Sequence, residues 1–280
     1  ASLARKSARC VAFLAELGEA APYTNPHLFD IMCGVQTALF SKGYALTLLD
    51  SLSADVEKMI LSRAFDGIIV HGGALTRPIA SLLIARRFPH IVIGHPSDVR
   101  LNWVDTDHTL GGRIACEHLI DCGCERLAFM GEGETAGISN QRLTGFRTAL
   151  LEAGLEYRRD WVLHTDGTLA SGKGAALELL GRGELPQGIV CGSNLLAYAF
   201  TLAAAERGVA IPGDMLLITF DRYPYSGLIS PEPTLVQIDV RDMGRAAAKQ
   251  LLQGLKKPEL RVQSYTTLPS LIEGQSTRKL

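Results

Sequence analysis

The chain has 280 residues, 47% of them hydrophobic and 20% charged, with Lys and Arg almost balancing Asp and Glu for a net charge of −1. That balance argues against the chain as a whole gripping nucleic acid, which requires a concentrated excess of basic residues. No apolar run approaches the ~20 residues of a membrane-crossing helix, and Glu16, Gly18 and Glu19 interrupt the only candidate for a secretory core behind the basic start Arg5-Lys6-Arg9.

In chain order, β-rich runs alternate with amphipathic stretches. Strands are predicted at 11–17, 45–50, 67–70, 90–94, 102–105, 126–131, 161–164, 188–191, 216–220 and 235–238. Nearly continuous apolar runs such as G-I-I-V, H-I-V-I-G and L-L-I-T-F fit parallel strands covered on both faces. Between them, Leu143, Phe146, Leu150 and Ala153 share one helical face. A helix over 194–207 is expected to stop at Gly208, with Pro212 shortly after.

Such alternation gives an α/β protein with parallel sheets. Ten strands exceed one comfortable twisted sheet, so two lobes are expected. Residues 1–8 read as a linker. One lobe comprises 9–123 and 238–257, the other 124–237 and 258–280, with 266–272 returning to the second. Repeated crossings between similar lobes suggest a ligand-binding cleft.

The six cysteines, at 10, 33, 116, 122, 124 and 191, lack a disulfide-framework spacing and read as buried residues of a reducing cytoplasm. Cys122-Gly-Cys124 near His118 lacks a second ligand pair, so no metal is expected. The segment Gly167-Thr-Leu-Ala-Ser-Gly172-Lys173-Gly174 approaches a phosphate loop, but Gly174 stands where a magnesium-holding hydroxyl belongs. A plain strand-to-helix turn with an exposed Lys173 is favoured. Gly131-Glu-Gly133 lacks the third glycine of a dinucleotide loop, and neither a G-x-S-x-G elbow nor H-E-x-x-H occurs. No catalytic residue and no cofactor are expected.

Polar residues at strand-to-helix corners are the better binding candidates, because ligands of open parallel sheets gather at the carboxyl ends of the strands. His27, His71, His95 and His108 each read as following a strand on one sheet edge, where hydrogen bonding explains them better than metal binding. Asp107 and Arg142 read as residues of helix starts, Arg142 offering its planar fork to a hydroxyl pair, carboxylate or phosphate. Asp221 follows a strand and is suited to accept ligand hydroxyls. Tyr23, Phe29, Trp161 and Tyr223 are the aromatics available to stack on a sugar face.

The segments V-D-T-D-H-T-L-G-G-R-I-A-C-E-H-L, N-P-H near 25, F-D-G-I-I-V, Q-R-L-T-G-F-R-T-A-L, C-G-S-N-L-L-A-Y-A and G-V-A-I-P-G-D-M-L-L-I-T-F-D occur in the order and spacing of the lac-repressor/galactose-repressor family, which the chain resembles over about 9–276. The resemblance implies a type I periplasmic-binding-protein-like fold of two Rossmann-like lobes joined by crossover strands. It also implies a small-molecule effector, a homodimer and control of transcription. The helix-turn-helix headpiece that binds operator DNA in that family would precede these residues, whose start resembles the end of its hinge.

By position, Arg142 matches the family's effector-binding arginine and Asp221 its acidic effector contact. Ser193 and Asn194 replace its Asn-Asp pair, and Gly167 stands where many members carry a stacking aromatic. His108 and His95 replace a frequent Asn and Arg. The expected function is that of an effector-sensing, dimerising domain of a cytoplasmic repressor. Its ligand would be a sugar, sugar phosphate or sugar acid. Effector-binding residues are Tyr23, His27, His71, His95, Asp107, Arg142, Ser193, Asn194, Asp221 and Tyr223. The alternatives are a transport-associated sugar-binding protein and, further off, a nucleotide hydrolase or dehydrogenase.

Overall fold

A computed structural model describes residues 8–18, 27–52, 55–133, 137–222, 225–257 and 264–278. The chain divides into two compact units, one of residues 1–106 and 239–267, the other of 107–238 and 268–280. In the first, strands β1 (Cys10–Ala15), β2 (Ala45–Asp50), β3 (Gly67–His71), β4 (His90–Ile93), β5 (Trp103–Thr106) and β11 (Tyr265–Thr267) form one sheet in the order β11-β5-β4-β3-β1-β2, every pairing parallel. In the second, β6 (Leu127–Glu132), β7 (Val162–Thr165), β8 (Gly188–Cys191), β9 (Leu216–Phe220), β10 (Thr234–Gln237) and β12 (Ser270–Ile272) run β12-β10-β9-β8-β6-β7. Only β12 is antiparallel to its neighbour there. The two sheets repeat one doubly wound order.

The central strands β4, β8 and β9 are buried at every residue, as an apolar run covered on both faces requires. In the first unit, helices α1 (Leu28–Phe40) and α8 (Val240–Lys256) cover one face, with Val35, Leu39, Ala247 and Leu251 in that core. Helices α2 (Val56–Ser62) and α3 (Arg77–Ala85) cover the other through Ile60 and Leu83. In the second unit, α6 (Leu169–Leu180) and α7 (Asn194–Arg207) lie on one face around Leu179 and Phe200. Helices α4 (His108–Asp121) and α5 (Gly137–Glu152) lie on the other around Phe129 and Phe146.

The boundary falls at Thr106/Asp107, not near residue 123 as the sequence suggests. The reason is α4: it follows β5 directly but packs its Ala115, Cys116 and Leu119 into the second unit's core. Helix α8 does the reciprocal thing after β10, joining the first unit. The expected returning segment 266–272 also divides, β11 going to the first sheet and β12 to the second.

Glycines set how closely these helices approach. A Cβ on Gly112 of α4 would lie 1.9 Å from the Arg142 carbonyl oxygen, and one on Gly145 of α5 would lie 1.9 Å from that of Thr109. Gly34 of α1 and Gly244 of α8 cross as tightly, 2.0 and 2.2 Å from the Arg241 and Ile31 carbonyl oxygens. Gly145→Ala should therefore cost roughly 2–4 kcal/mol in urea unfolding, since backbone and not a flexible side chain must yield. Gly174→Ala, in α6 with nothing within 4 Å of its added carbon, should instead stabilise by ~0.5–1 kcal/mol.

One buried histidine ties β4 to its neighbours. The His90 Nε2 accepts the Asn102 N–H at 3.3 Å, so the proton sits on Nδ1, which donates to the Phe88 carbonyl at 2.7 Å. Burial pushes its pKa down, the Phe88 carbonyl opposing, and burial likewise lowers His71 and His118. A lowered histidine pKa means that the unfolded chain binds the proton first as pH falls, so stability present above about pH 6.5 erodes below it. The urea midpoint should drop between about pH 7.5 and pH 5.5, with a shallower drop in His90→Gln.

Candidate functional site

In a 2-1-3-4-5 order the connections leave the sheet in opposite directions on either side of the first strand, opening a crevice at the carboxyl ends there. In the second unit that point lies between β6, ending at Glu132, and β8, ending at Cys191. Arg142 reaches it. The residue sits in the second turn of α5, not at the helix start that the sequence suggested. It reaches that point through its long side chain.

Arg142 is 6% exposed. Its Nη1 donates to the Gly192 carbonyl at 2.5 Å, and its Nη2 lies 3.8 Å from Asp221 Oδ2. The guanidinium carbon sits 3.8 Å from the centre of the Phe220 ring, a cation–π contact. Its Nε–H is buried and has no hydrogen-bond partner among the described residues. Burial lowers its pKa, while the Asp221 and then the Glu132 carboxylates hold it up. It remains charged.

Asp221 is itself constrained. It is buried, with φ at +59° in the left-handed region that Asp tolerates better than most residues. Its Oδ1 accepts the Ile238 N–H at 3.1 Å and its own N–H donates to the Val236 carbonyl at 3.0 Å. Asn194, the first residue of α7, is buried and donates from Nδ2 to the Phe220 carbonyl at 3.5 Å. Ser193 caps α7 by accepting the Leu196 N–H at 3.3 Å. Around Arg142, then, the structure gathers Asp221, Gly192 and the Phe220 ring, with Asn194 on the backbone carbonyl of Phe220.

The other expected residues are placed differently. Asp107 is the N-cap of α4, its side chain accepting from Leu110 N at 2.8 Å. His108 is the buried first residue of that helix. His71 ends β3, half-buried, and Glu16 just past β1 pulls its pKa up against the larger, lowering effect of burial. His95 follows β4, exposed, its ring edge against Trp103 at 4.4 Å between centres. His27 immediately precedes α1, half-buried and without a side-chain cap bond, and the residues before it lie outside the described ones. Tyr23 and Tyr223 lie outside the described residues.

Trp161 is no stacking platform: it is 2% exposed in the second core and covered by the Arg158 guanidinium at 3.9 Å. Lys173, expected to be solvent-exposed, is half-covered and paired with Glu206 at 2.7 Å, while Thr168 caps α6 by accepting from Ser171 N. The turn before α6 is therefore an ordinary capped helix start. Burial pushes the Cys116 thiol up to about 12 and that of Cys191 further up, as inert core thiols require.

A family model for the periplasmic binding protein-like domain matches residues 116–277. The chain belongs to that family. Among its relatives, a protein from Glaesserella parasuis described as the HTH-type transcriptional repressor PurR is 28% identical over 253 residues, spanning 88% of this chain and 72% of the relative. A second, of the same description, from Photobacterium profundum is 24% identical over 264 residues, spanning 92% of this chain and 79% of the relative. The solved cellobiose complex of the transcriptional regulator CelR superposes with a TM-score of 0.83 at 25% identity, covering 96% of this chain and 85% of that one. The chain thus has the periplasmic-binding-protein-like domain, and the relatives and the solved structure it resembles are described as transcriptional regulators.

Sequence reasoning missed Phe220 and Gly192 as Arg142's supports. An apolar residue and a carbonyl oxygen carry no binding signature in sequence. Glu132 enters the sequence analysis only as the middle residue of Gly131-Glu-Gly133. The signal was present in F-D: a strand ending in an aromatic and an acid places both on one corner. Asp221→Ala should lose roughly 2–4 kcal/mol in urea unfolding, because it orphans Ile238 N–H and unbalances the buried Arg142. Asp221→Asn keeps an acceptor and tolerates the left-handed backbone, so it should lose about half as much.

Proposed function

We propose that the carboxyl edge of the second unit's sheet is the effector-reading surface, with Arg142 as its principal donor and Asp221 and Asn194 as its orienting partners. The observation carrying this reading is the buried Arg142 itself. Its guanidinium is anchored at Gly192 and Asp221 while its Nε–H has no partner among the described residues, and a buried donor left unsatisfied is costly unless something completes it. Ser193 and Asp107 are further proposed contacts of this edge, and Tyr223, outside the described residues, is kept as a proposed effector contact without a place in the fold. His71, His95 and His27 are those of the first unit's own carboxyl edge, and Tyr23, outside the described residues, is likewise proposed as an effector contact.

The effector is a small sugar or sugar derivative, whose hydroxyls both donate and accept, matching a guanidinium beside a carboxylate. The chain acts by binding and carries out no bond chemistry. It works in the cytoplasm as a homodimer and addresses operator DNA through a headpiece outside these residues. The description of its relatives as transcriptional repressors supports this. Control requires the effector to bind one conformation more tightly than another, with a coupling of roughly 1–3 kcal/mol being ordinary.

A thermal-shift screen against sugars, sugar phosphates and sugar acids tests the reading. A ligand at a hundred times its Kd should add about 2.7 kcal/mol of stability. Arg142→Ala and Asn194→Ala should remove the shift while the melting transition stays cooperative. An undiminished shift in Arg142→Ala would defeat the site assignment, and recovery of a chemically altered sugar would defeat the sensor reading.

A further inference from the structure

The character of the effector is written in how Glu132 meets Gly167. Glu132 is the last residue of β6 and stands opposite Thr165 of β7. Two residues past Thr165, Gly167 turns with φ at +81°. A Cβ on Gly167 would sit 3.2 Å from the Cγ, Cδ and Oε1 of Glu132. The glycine therefore serves two ends: it adopts the left-handed turn, and it leaves the space that the Glu132 side chain occupies. Glu132 is thereby held at the carboxyl edge, exposed at the end of β6, whose pairing with β8 sets it beside the strand end where Gly192 anchors Arg142.

The electrostatic balance follows. One guanidinium lies 3.8 Å from the Asp221 carboxylate, and the exposed Glu132 carboxylate at the end of the adjacent strand adds a second negative charge, so the formal side-chain charge of these three residues is negative before any ligand arrives. Neighbouring cations are committed elsewhere. Arg222, beside Asp221, is exposed and points to Glu232 at 3.9 Å, and Lys173 is held by Glu206 at 2.7 Å. Among the described residues, Arg142 is then the cation this edge offers, and it is already balanced. A phosphate or carboxylate placed against it would compete with Asp221 and be repelled by Glu132. An uncharged ligand meets no such penalty: an acceptor oxygen completes Arg142 Nε–H, and hydroxyl or amide donors satisfy the carboxylates.

Resting on the effector site proposed above, we infer that Glu132, seated at Gly167, is a specificity-determining residue that admits an uncharged, donor-rich ligand and bars phosphorylated or carboxylated ones. This separates the sugar from the sugar phosphate and the sugar acid.

Two measurements test it, one independent of the effector's identity. In the first, inorganic phosphate is titrated at tens of millimolar into the labelled protein while the amide signals of Gly192 and Asn194 are followed. The wild type should show no saturable shift, and Glu132→Gln, which keeps shape and loses charge, should gain one that Glu132→Gln/Arg142→Ala lacks. A saturable shift in the wild type that Arg142→Ala removes would overturn the inference. So would a Glu132→Gln protein that remains as indifferent to phosphate as the wild type.

In the second, calorimetry compares glucose, ribose and cellobiose with glucose 6-phosphate, ribose 5-phosphate and gluconate. Each anion should bind at least about tenfold more weakly than its uncharged parent, and Glu132→Gln should narrow that gap by about tenfold. Tighter binding of an anion than of its parent would overturn the inference while leaving the effector site in place. Silence of all six sugars would count against the proposed function, and the phosphate titration would still decide the role of Glu132.

Discussion

The closeness of α4 and α5 is the constraint on which the second unit's binding edge depends. Gly112 lies against the Arg142 carbonyl and Gly145 against that of Thr109, so the two helices touch backbone to backbone. That contact fixes the height and rotation of α5, and with them the direction in which the Arg142 side chain leaves the helix. A guanidinium buried against Phe220 tolerates little error, since its partners at Gly192 and Asp221 come from two other strand ends. Close packing of bare backbone thus substitutes for the longer side-chain contacts that usually space helices.

Topology supplies the rest. Doubly wound order opens a crevice beside β6, and the strand ends there contribute Glu132, Gly192 and, one strand further, Asp221. The first unit repeats the arrangement, with Glu16 after β1 and His71 at the end of β3 at its own opening. In both, residues with polar or strained requirements sit just past strands whose interiors are almost entirely apolar. Stability lives in the strands and chemistry at their ends.

Much of this is legible in the sequence, for a physical reason. Strands buried on both faces must be continuous apolar runs, so β3, β4, β8 and β9 announce themselves, as does the Gly208 stop of α7. Helix α4 was assigned to the wrong unit because sequence neighbours usually pack together. Whether Ala115 and Leu119 face one core or another depends on a helix crossing that has no local signature. Strands β11 and β12 were seen as one stretch because the residues between them, Leu268 and Pro269, do not disclose a change of sheet. At the site, Arg142 and Asp221 are legible as charges at corners, and Trp161 misleads because an aromatic at a strand's start reads the same whether it is buried or presented.

The described geometry is one of paired and nearly satisfied polar groups around a single unsatisfied donor. Such an arrangement suits recognition: the protein groups are already oriented, and little ordering remains for a ligand to impose. The most direct test is a crystal structure of the protein with whichever sugar raises its melting temperature most. The expected result places a ligand oxygen within hydrogen-bond reach of Arg142 Nε and a ligand hydroxyl on Asp221 or Glu132. A ligand bound at the amino ends of the strands, or anywhere out of reach of Arg142, would contradict it.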